Sequence, residues 1–211
     1  MATDNFPRIN PGERAIISGR TGSGKSTLGC WILERSPGHW IVLNPKHTKA
    51  YDGLNDSHTI KGIDLGKIDR SLREHRFTIV NPTGDQATPE VLDEFVGYIH
   101  DTYKNIGVCA DELYTLHNNG RAGKGLLGLL TRGRELKQAF LGMTQRPAGL
   151  SQFNFSESQY ICGMSLTLED DRKRLYQMTG RREFLEKMEP HEWLWYYVSQ
   201  DHLRKFGPVP T

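Results

Sequence analysis

The sequence predicts an α/β fold, in which a mainly parallel central sheet is covered by helices on both faces. Two observations predict it. Short apolar runs alternate along the chain with segments whose apolar residues recur at helical spacing, and the first run leads directly into a glycine-rich loop and a helical segment. A closing pair of apolar runs around Gln200-Asp201 predicts an antiparallel extension at the C-terminal end.

The predicted strands are apolar runs that end at polar residues or at proline. Asn44-Pro45 ends the second run and Asn81-Pro82 ends a later one. Strands are expected at 14–18, 39–44, 76–80, 106–110, 139–143 and 159–164, with weak strand character at 58–60 and the antiparallel pair at 192–198 and 203–206.

The predicted helices have apolar residues three and four positions apart. The clearest start is at Thr88, where a threonine in the cap position is followed by Pro89 at the first helical position and Glu90 in the first turn. Helices are expected over 27–34, 64–72, 88–104, 126–137 and 169–178.

Length and composition are those of an ordinary soluble protein. A chain of 211 residues can form one sizeable core and hardly two, so a single domain over 1–211 is expected. No apolar run approaches the length of a membrane span, and the net charge of +2 leaves any nucleic-acid contact to a local basic patch. The three cysteines lie far apart, which argues against disulfides or a zinc site and favours a reducing compartment.

Residues 19–26 read Gly-Arg-Thr-Gly-Ser-Gly-Lys-Ser and fit the phosphate-binding P-loop motif. Its glycines let the backbone turn tightly and aim N–H groups at a phosphate, while the following helix adds a partial positive charge. Lys25 is expected to reach the outer phosphates and Ser26 to ligate Mg²⁺. The alternative is a glycine-rich turn with an unrelated lysine. The predicted nucleotide-binding residues are Gly19, Arg20, Thr21, Gly22, Ser23, Gly24, Lys25, Ser26 and Thr27.

Two carboxylates, Asp111 and Glu112, follow the fully apolar run at 106–110. The carboxyl ends of parallel strands meet at one edge of the sheet, where such folds bind ligands. Asp111 is therefore expected to hold Mg²⁺ through water, and Glu112 to polarise the water that attacks the outer phosphate. The alternative is an acidic pair that caps the next helix.

Gln145 follows the apolar run at 139–143 and is expected at the same edge. Its amide can hydrogen-bond both the outer phosphate and the attacking water, and so sense whether the nucleotide is intact. The alternative is a polar turn before Pro147.

Arg132 and Arg134 lie on or near the helix that precedes this strand. An arginine at a subunit edge can reach a neighbour's nucleotide and neutralise charge in the transition state. The alternative is a solvated, charged helix face. A second basic stretch, 118–125, is rich in glycine and asparagine; it could face a central channel and bind DNA phosphates, or be a flexible solvent loop.

The stretch from Leu130 to Pro147 resembles the chromosome translocases and helicases of the FtsK–HerA class, whose sensor strand ends in Thr-Gln-Arg-Pro after an arginine-bearing helix. Here that ending is residues 144–147. Together with the P-loop and the carboxylate pair, the resemblance covers roughly residues 14–207. It implies a RecA-like P-loop NTPase fold, ATP and Mg²⁺, a ring of subunits and double-stranded DNA as the substrate. Aligned on that ending, Arg134 occupies the position of the family's trans-acting arginine, with Arg132 the near alternative.

The sequence is expected to hold little beyond a motor domain, and in this it is similar to the genome-packaging ATPases of membrane-containing icosahedral viruses and phages. That similarity implies packaging of a viral genome into a preformed capsid by a ring that is a pentamer or hexamer when active. It also implies capsid vertex or membrane-associated packaging proteins as partners, and a place in the host cytoplasm or at the packaging vertex. A cellular or plasmid DNA translocase is the nearest alternative. A small-molecule kinase, which would gain nothing from Glu112 or Gln145, and a nucleotide-gated interaction module are the others.

Overall fold

The computed structural model describes residues 6–118 and 120–209. Its strands are β1 (Arg14–Ser18), β2 (His39–Leu43), β3 (Ser57–Lys61), β4 (Phe77–Asn81), β5 (Ile106–Ala110), β6 (His117–Asn118), β7 (Arg121–Ala122), β8 (Ala139–Thr144), β9 (Tyr160–Met164), β10 (Trp193–Tyr197) and β11 (His202–Phe206). Its α-helices are α1 (Lys25–Arg35), α2 (Leu65–Glu74), α3 (Pro89–Thr102), α4 (Lys124–Arg132), α5 (Phe153–Ser156) and α6 (Glu169–Thr179).

Nine of the described strands form one sheet in the order β11-β10-β9-β1-β8-β5-β2-β4-β3. The seven strands from β9 to β3 are parallel to their neighbours, whereas β10 and β11 add an antiparallel extension beside β9. The predicted mainly parallel sheet with an antiparallel C-terminal part is therefore confirmed.

The register brings the predicted site residues to one edge of this sheet. Ser18 at the end of β1 pairs with Thr144 at the end of β8. On the other side of β8, Ala110 at the end of β5 pairs with Gly142. The segments that follow these strands, namely the P-loop, Asp111-Glu112 and Gln145, consequently start close together.

Each face of the sheet is covered by its own apolar layer, because successive strand side chains point to opposite faces. Ile16 packs in the layer formed with α2, α3, α4 and α6. Its neighbours Ala15 and Ile17 pack in the opposite layer, with α1 and with Trp193 and Trp195 of β10. The helices therefore lie on both faces, as predicted.

Local signals set several element ends as expected. The Thr88 side chain accepts a hydrogen bond from the Val91 N–H at 3.4 Å and so caps α3. Asp64 caps α2 in the same way, accepting from the Lys67 N–H at 3.1 Å. The weak strand character at 58–60 corresponds to β3 at the edge of the sheet.

Two predictions around α4 are wrong. The helix expected over 126–137 ends at Arg132, and the backbone then turns through Lys137, whose φ is +55°. Gln138 fixes this turn, because its buried amide donates to the carbonyl oxygens of His100 and Tyr103 at the end of α3. The loop expected over 118–125 instead contains the hairpin pair β6–β7 and the first turn of α4, with Asn119 outside the described residues.

Cys30, Cys109 and Cys162 are free thiols. Burial raises the pKa of Cys30 to about 12 and that of Cys109 well above its ordinary value, so both stay protonated at neutral pH. Across the described ranges, no helix combines the length and the apolar character needed to cross a membrane.

Candidate active site

The P-loop connects β1 to α1 in a conformation that depends on its glycines. Gly22 and Gly24 have φ of +76° and +93°, a region that favours glycine. Gly19 has an ordinary φ but no room, since an added Cβ would lie 2.7 Å from Ser23 Oγ and 2.9 Å from Met164 Cβ. A glycine-rich turn with no binding role, the alternative, does not explain why three positions of this loop require glycine.

Lys25, the first residue of α1, lies under this loop with 8% of its surface exposed. Its Nζ donates to the Arg20 carbonyl oxygen at 3.1 Å. Burial lowers the pKa of Lys25 and nearby Lys46 acts in the same direction, while Glu112 and Asp111 oppose the shift. The loop therefore holds a largely buried cation that a triphosphate can pair with.

Asp111 lies at the end of β5 and is 5% exposed. Its Oδ1 accepts from Ser26 Oγ at 3.1 Å and from Tyr51 OH at 2.5 Å, and its Oδ2 accepts from Thr48 Oγ1 at 2.9 Å. Three hydroxyl groups thus orient one carboxylate beside the start of α1.

The Ser26–Asp111 pair suits Mg²⁺ in its chemistry. A hydroxyl and a carboxylate are the hard oxygen ligands that this ion prefers, with phosphate oxygens and water completing the octahedron. Both Asp111 oxygens already accept hydrogen bonds, which favours a contact through water. In the described part of the chain, no group of three or more His, Cys, Asp and Glu side chains offers a metal site built from protein alone.

Glu112 is 7% exposed and is held by two partners. Its Oε2 forms an ion pair with Lys46 and accepts from Gln145 Nε2 at 3.2 Å. The Gln145 Oε1 in turn accepts from Thr21 Oγ1 of the P-loop at 2.6 Å. Glu112 is also the cap residue of the 3₁₀ turn Leu113–Leu116, but its side chain makes no capping hydrogen bond, so the capping alternative is wrong for it.

These side chains surround a cavity of about 300 Å³ at the carboxyl edge of the sheet. It is lined by Thr21, Gly22, Gly24, Lys25, Ser26, Thr27, Lys46, Thr48, Asp111 and Gln145. Glu112 borders an adjoining cavity of about 550 Å³, which it shares with Lys46, Gln145 and Tyr114.

Sequence reasoning missed Lys46, Thr48 and Tyr51. They follow β2, which pairs with β5 so that Leu43 lies beside Ala110. The signal that could have found them is the strand ending at Asn44-Pro45, because a segment leaving that edge next to Asp111 has to run past the site.

Arg132 and Arg134 do not join this site. Arg132 ends α4, Arg134 lies in the turn before β8, and both are exposed. β8 has six residues and runs from that turn to Gln145, so the two arginines lie about 20 Å away, at the opposite edge of the sheet. Neither can reach the P-loop of its own chain.

The basic hairpin β6–β7 lies near the carboxyl edge. It follows the turn that starts at Glu112, and a Cβ added at Gly120 would lie 3.7 Å from the Gly149 carbonyl oxygen in the segment after β8. Arg121 and Lys124 are exposed there. A basic surface is thus linked to Glu112 by a single short turn.

The sheet order and the P-loop between β1 and α1 define a RecA-like P-loop ATPase fold. No family model matches the sequence. The chain is 32% identical to the DNA packaging ATPase P9 of Enterobacteria phage PRD1 over 167 residues, which is 78% of this chain and 69% of that protein. The chain belongs to the family of this packaging ATPase.

Solved structures agree on the fold. The genome packaging NTPase B204 of Sulfolobus turreted icosahedral virus 2, in complex with AMPPCP, superposes with a TM-score of 0.73 at 17% identity, covering 95% of this chain and 100% of that one. VirB4 of Thermoanaerobacter pseudethanolicus superposes with a TM-score of 0.69 at 9% identity, covering 94% and 89%. The predicted resemblance to packaging ATPases of the FtsK–HerA class is confirmed.

Proposed function

We propose that this protein is an ATP-hydrolysing motor that moves double-stranded DNA into a preformed viral capsid. Its relative P9 is a DNA packaging ATPase, and the similar B204 is a genome packaging NTPase that has been solved with AMPPCP. The observation that carries the proposal is the chain of hydrogen bonds from Thr21 of the P-loop through Gln145 to Glu112. It ties a carboxylate base to the phosphate-binding loop.

In the proposed reaction, water attacks the terminal phosphorus of ATP, the bond to the bridging oxygen breaks, and ADP and phosphate form. Glu112 takes the proton of the attacking water, and Gln145 orients that water. Lys25 offsets charge on the outer phosphates. Bound Mg²⁺, held by Ser26 and through water by Asp111, would neutralise phosphate charge.

Lys46 makes Glu112 a switchable base. In this arrangement the Glu112 oxygen Oε2 is occupied by the Lys46 ammonium and the Gln145 amide, so it does not face an attacking water. Glu112 becomes an effective base when Lys46 turns toward the terminal phosphate and leaves the carboxylate to the water. This exchange makes hydrolysis depend on a correctly bound triphosphate.

The position of the two arginines supports the proposed ring. Arg134, with Arg132 as the alternative, would reach the nucleotide of the next subunit and stabilise its transition state, since its own P-loop is out of reach. The proposed assembly is a pentamer or hexamer around DNA. In it, Arg121 of the hairpin β6–β7 and Lys124 at the start of α4 would contact DNA phosphates.

The proposed setting is viral. A packaging motor acts at a capsid vertex, so capsid vertex proteins or membrane-associated packaging proteins are the expected partners. The host cytoplasm and the packaging vertex are the expected locations.

The test measures ATP turnover with and without double-stranded DNA. DNA is expected to raise the rate, and Lys25→Ala and Glu112→Gln are each expected to lower it at least about a hundredfold. Lys104→Ala and Glu94→Gln, which alter exposed side chains on other parts of the surface, are the matched controls. DNA-independent transfer of the phosphoryl group to a metabolite would contradict the proposal and favour a kinase.

A further inference from the structure

A tight turn over residues 189–192 holds a histidine against the P-loop. The Glu192 N–H donates to the Glu189 carbonyl oxygen at 3.2 Å, Pro190 is the second residue of the turn, and His191, the third, has φ of +63°. Proline followed by a residue of positive φ is the pattern of a type II turn. The third position of such a turn favours glycine or asparagine, so the histidine there has a backbone conformation that residues with a side chain rarely adopt.

The turn is anchored, so the histidine is held in place. The Glu192 carboxylate oxygen Oε2 accepts from the Glu189 N–H at 3.1 Å and pairs with Lys205 Nζ of β11 at 2.9 Å. The chain continues from Glu192 directly into β10. The position of His191 is therefore fixed by the antiparallel extension of the sheet.

The His191 ring approaches the loop at Gly24. A Cβ built on Gly24 would lie 3.2 Å from His191 Nδ1, 4.0 Å from its Cε1 and 3.6 Å from Met164 Cε. His191 is nevertheless exposed. The exposed imidazole thus forms an open wall beside the P-loop, and Met164, which is 1% exposed, lies buried next to the same glycine.

The strand order indicates which part of a nucleotide meets this wall. Glu112 and Gln145, which would act on the terminal phosphate, follow β5 and β8 on one side of β1. Met164 and His191 belong to β9 and to the turn before β10, on the other side of β1. A nucleotide whose terminal phosphate points toward β5 has its sugar and base on the β9–β10 side.

We propose that His191, supported by Met164, binds the nucleoside half of the bound nucleotide. The inference rests on the proposed function, since it takes the P-loop as the triphosphate site. The flat imidazole offers a ring face for the base or sugar and an N–H for a hydroxyl or ring nitrogen. The P-loop alone recognises phosphate, so this contact would supply recognition of the nucleoside.

The test compares two probes, ATP and inorganic tripolyphosphate, by calorimetric titration with Mg²⁺. Tripolyphosphate keeps the phosphates and lacks the sugar and base. His191→Gly suits the backbone of the turn and removes the ring. We expect it to weaken ATP binding roughly three- to tenfold, which is the size of one aromatic contact, and to leave tripolyphosphate binding unchanged.

Asn105→Gly is the matched control, since Asn105 is exposed, has φ of +55° and lies before β5 at the far edge of the sheet. It should change neither affinity. Unchanged ATP affinity in His191→Gly, or equal weakening of both probes, would overturn the inference. Failure of the proposed function gives a different result, because the P-loop would then not be the triphosphate site. In that case the wild-type protein binds neither probe, or Lys25→Ala leaves the binding of both probes unchanged.

Discussion

The Gln145 amide donates a hydrogen bond to the Glu112 carboxylate, with 3.2 Å between Nε2 and Oε2. The other end of the same amide accepts from Thr21 of the P-loop at 2.6 Å. One side chain thereby spans from the loop that would hold the phosphates to the carboxylate that would activate water. A movement of the P-loop on nucleotide binding has a direct route to Glu112.

Replacing Gln145 tests this link. Gln145→Ala is expected to lower ATP turnover roughly tenfold to a hundredfold, because the water and Glu112 lose their orientation. ATP affinity should stay within about twofold, since the P-loop N–H groups and Lys25 remain. Single-turnover hydrolysis and a binding titration separate the two effects. Equal losses in both would mean that Gln145 only supports the shape of the loop.

Mixing subunits tests the proposed trans role of Arg134. Arg134→Ala should abolish turnover and keep ATP binding, and Arg73→Ala, on an exposed part of α2, is the matched control. Mixtures of Arg134→Ala with Glu112→Gln should recover part of the activity, because some interfaces then combine an intact arginine with an intact base. Absence of recovery at every mixing ratio would contradict the trans role, and the same experiment with Arg132→Ala decides between the two arginines.

Replacing Tyr51 tests whether its hydroxyl group orients the Asp111 carboxylate. Burial raises the pKa of Tyr51 well above its ordinary value, so its hydroxyl stays protonated and donates to Asp111. Tyr51→Phe should lower the free energy of unfolding by about 1–2 kcal/mol and raise the Mg²⁺ concentration needed for half-maximal turnover several-fold. Tyr103→Phe, which removes a hydroxyl bonded to Asp69 away from the site, is the control. An unchanged Mg²⁺ requirement would reduce Tyr51 to a packing role.

The basic hairpin gives a prediction about DNA. Arg121→Ala and Lys124→Ala should each weaken DNA binding and reduce the slope of log affinity against log salt by about 1, as expected for one lost phosphate contact. ATP turnover without DNA should be unaffected. An unchanged salt slope in both variants would show that DNA contacts another surface.

His117 gives a prediction about pH. It is buried in β6, with Nδ1 bonded to the Leu113 carbonyl oxygen and Nε2 to Asn154 Nδ2, and burial lowers its pKa below the ordinary 6.5. The unfolded chain therefore binds a proton more readily than the folded one. Stability should fall as pH drops below about 6.5, with a slope of up to about 1.4 kcal/mol per pH unit. Urea unfolding from pH 5 to pH 8 should show this loss reduced in His117→Asn, and identical pH slopes in both proteins would contradict it.

The sequence predicted the sheet and the position of the P-loop accurately because both are locally encoded. The ranges 14–18 and 106–110 coincide with β1 and β5, since each is an apolar run bounded by polar residues. Parallel strands end at one edge, so Asp111 and Gln145 could be assigned to a shared site without knowing any distance. Their catalytic roles remain predictions.

The features that the sequence did not predict depend on contacts between segments that are far apart in the chain. Lys46 meets Glu112 only because β2 lies beside β5, an order that no local pattern in the sequence encodes. The helix predicted to reach 137 stops at Arg132 because buried Gln138 binds the end of α3. His191 lies over Gly24 only because β10 returns beside β9, far along the chain from the P-loop.

Water activation by Glu112 is proposed to drive DNA movement. The most direct measurement is ATP-dependent displacement of a third strand annealed to linear double-stranded DNA, made with wild type, Glu112→Gln and the exposed control Glu94→Gln. We expect displacement by wild type and by the control, and none by Glu112→Gln even where it binds ATP and DNA. Displacement by Glu112→Gln at the wild-type rate, or ATP hydrolysis by wild type without any displacement, would contradict it.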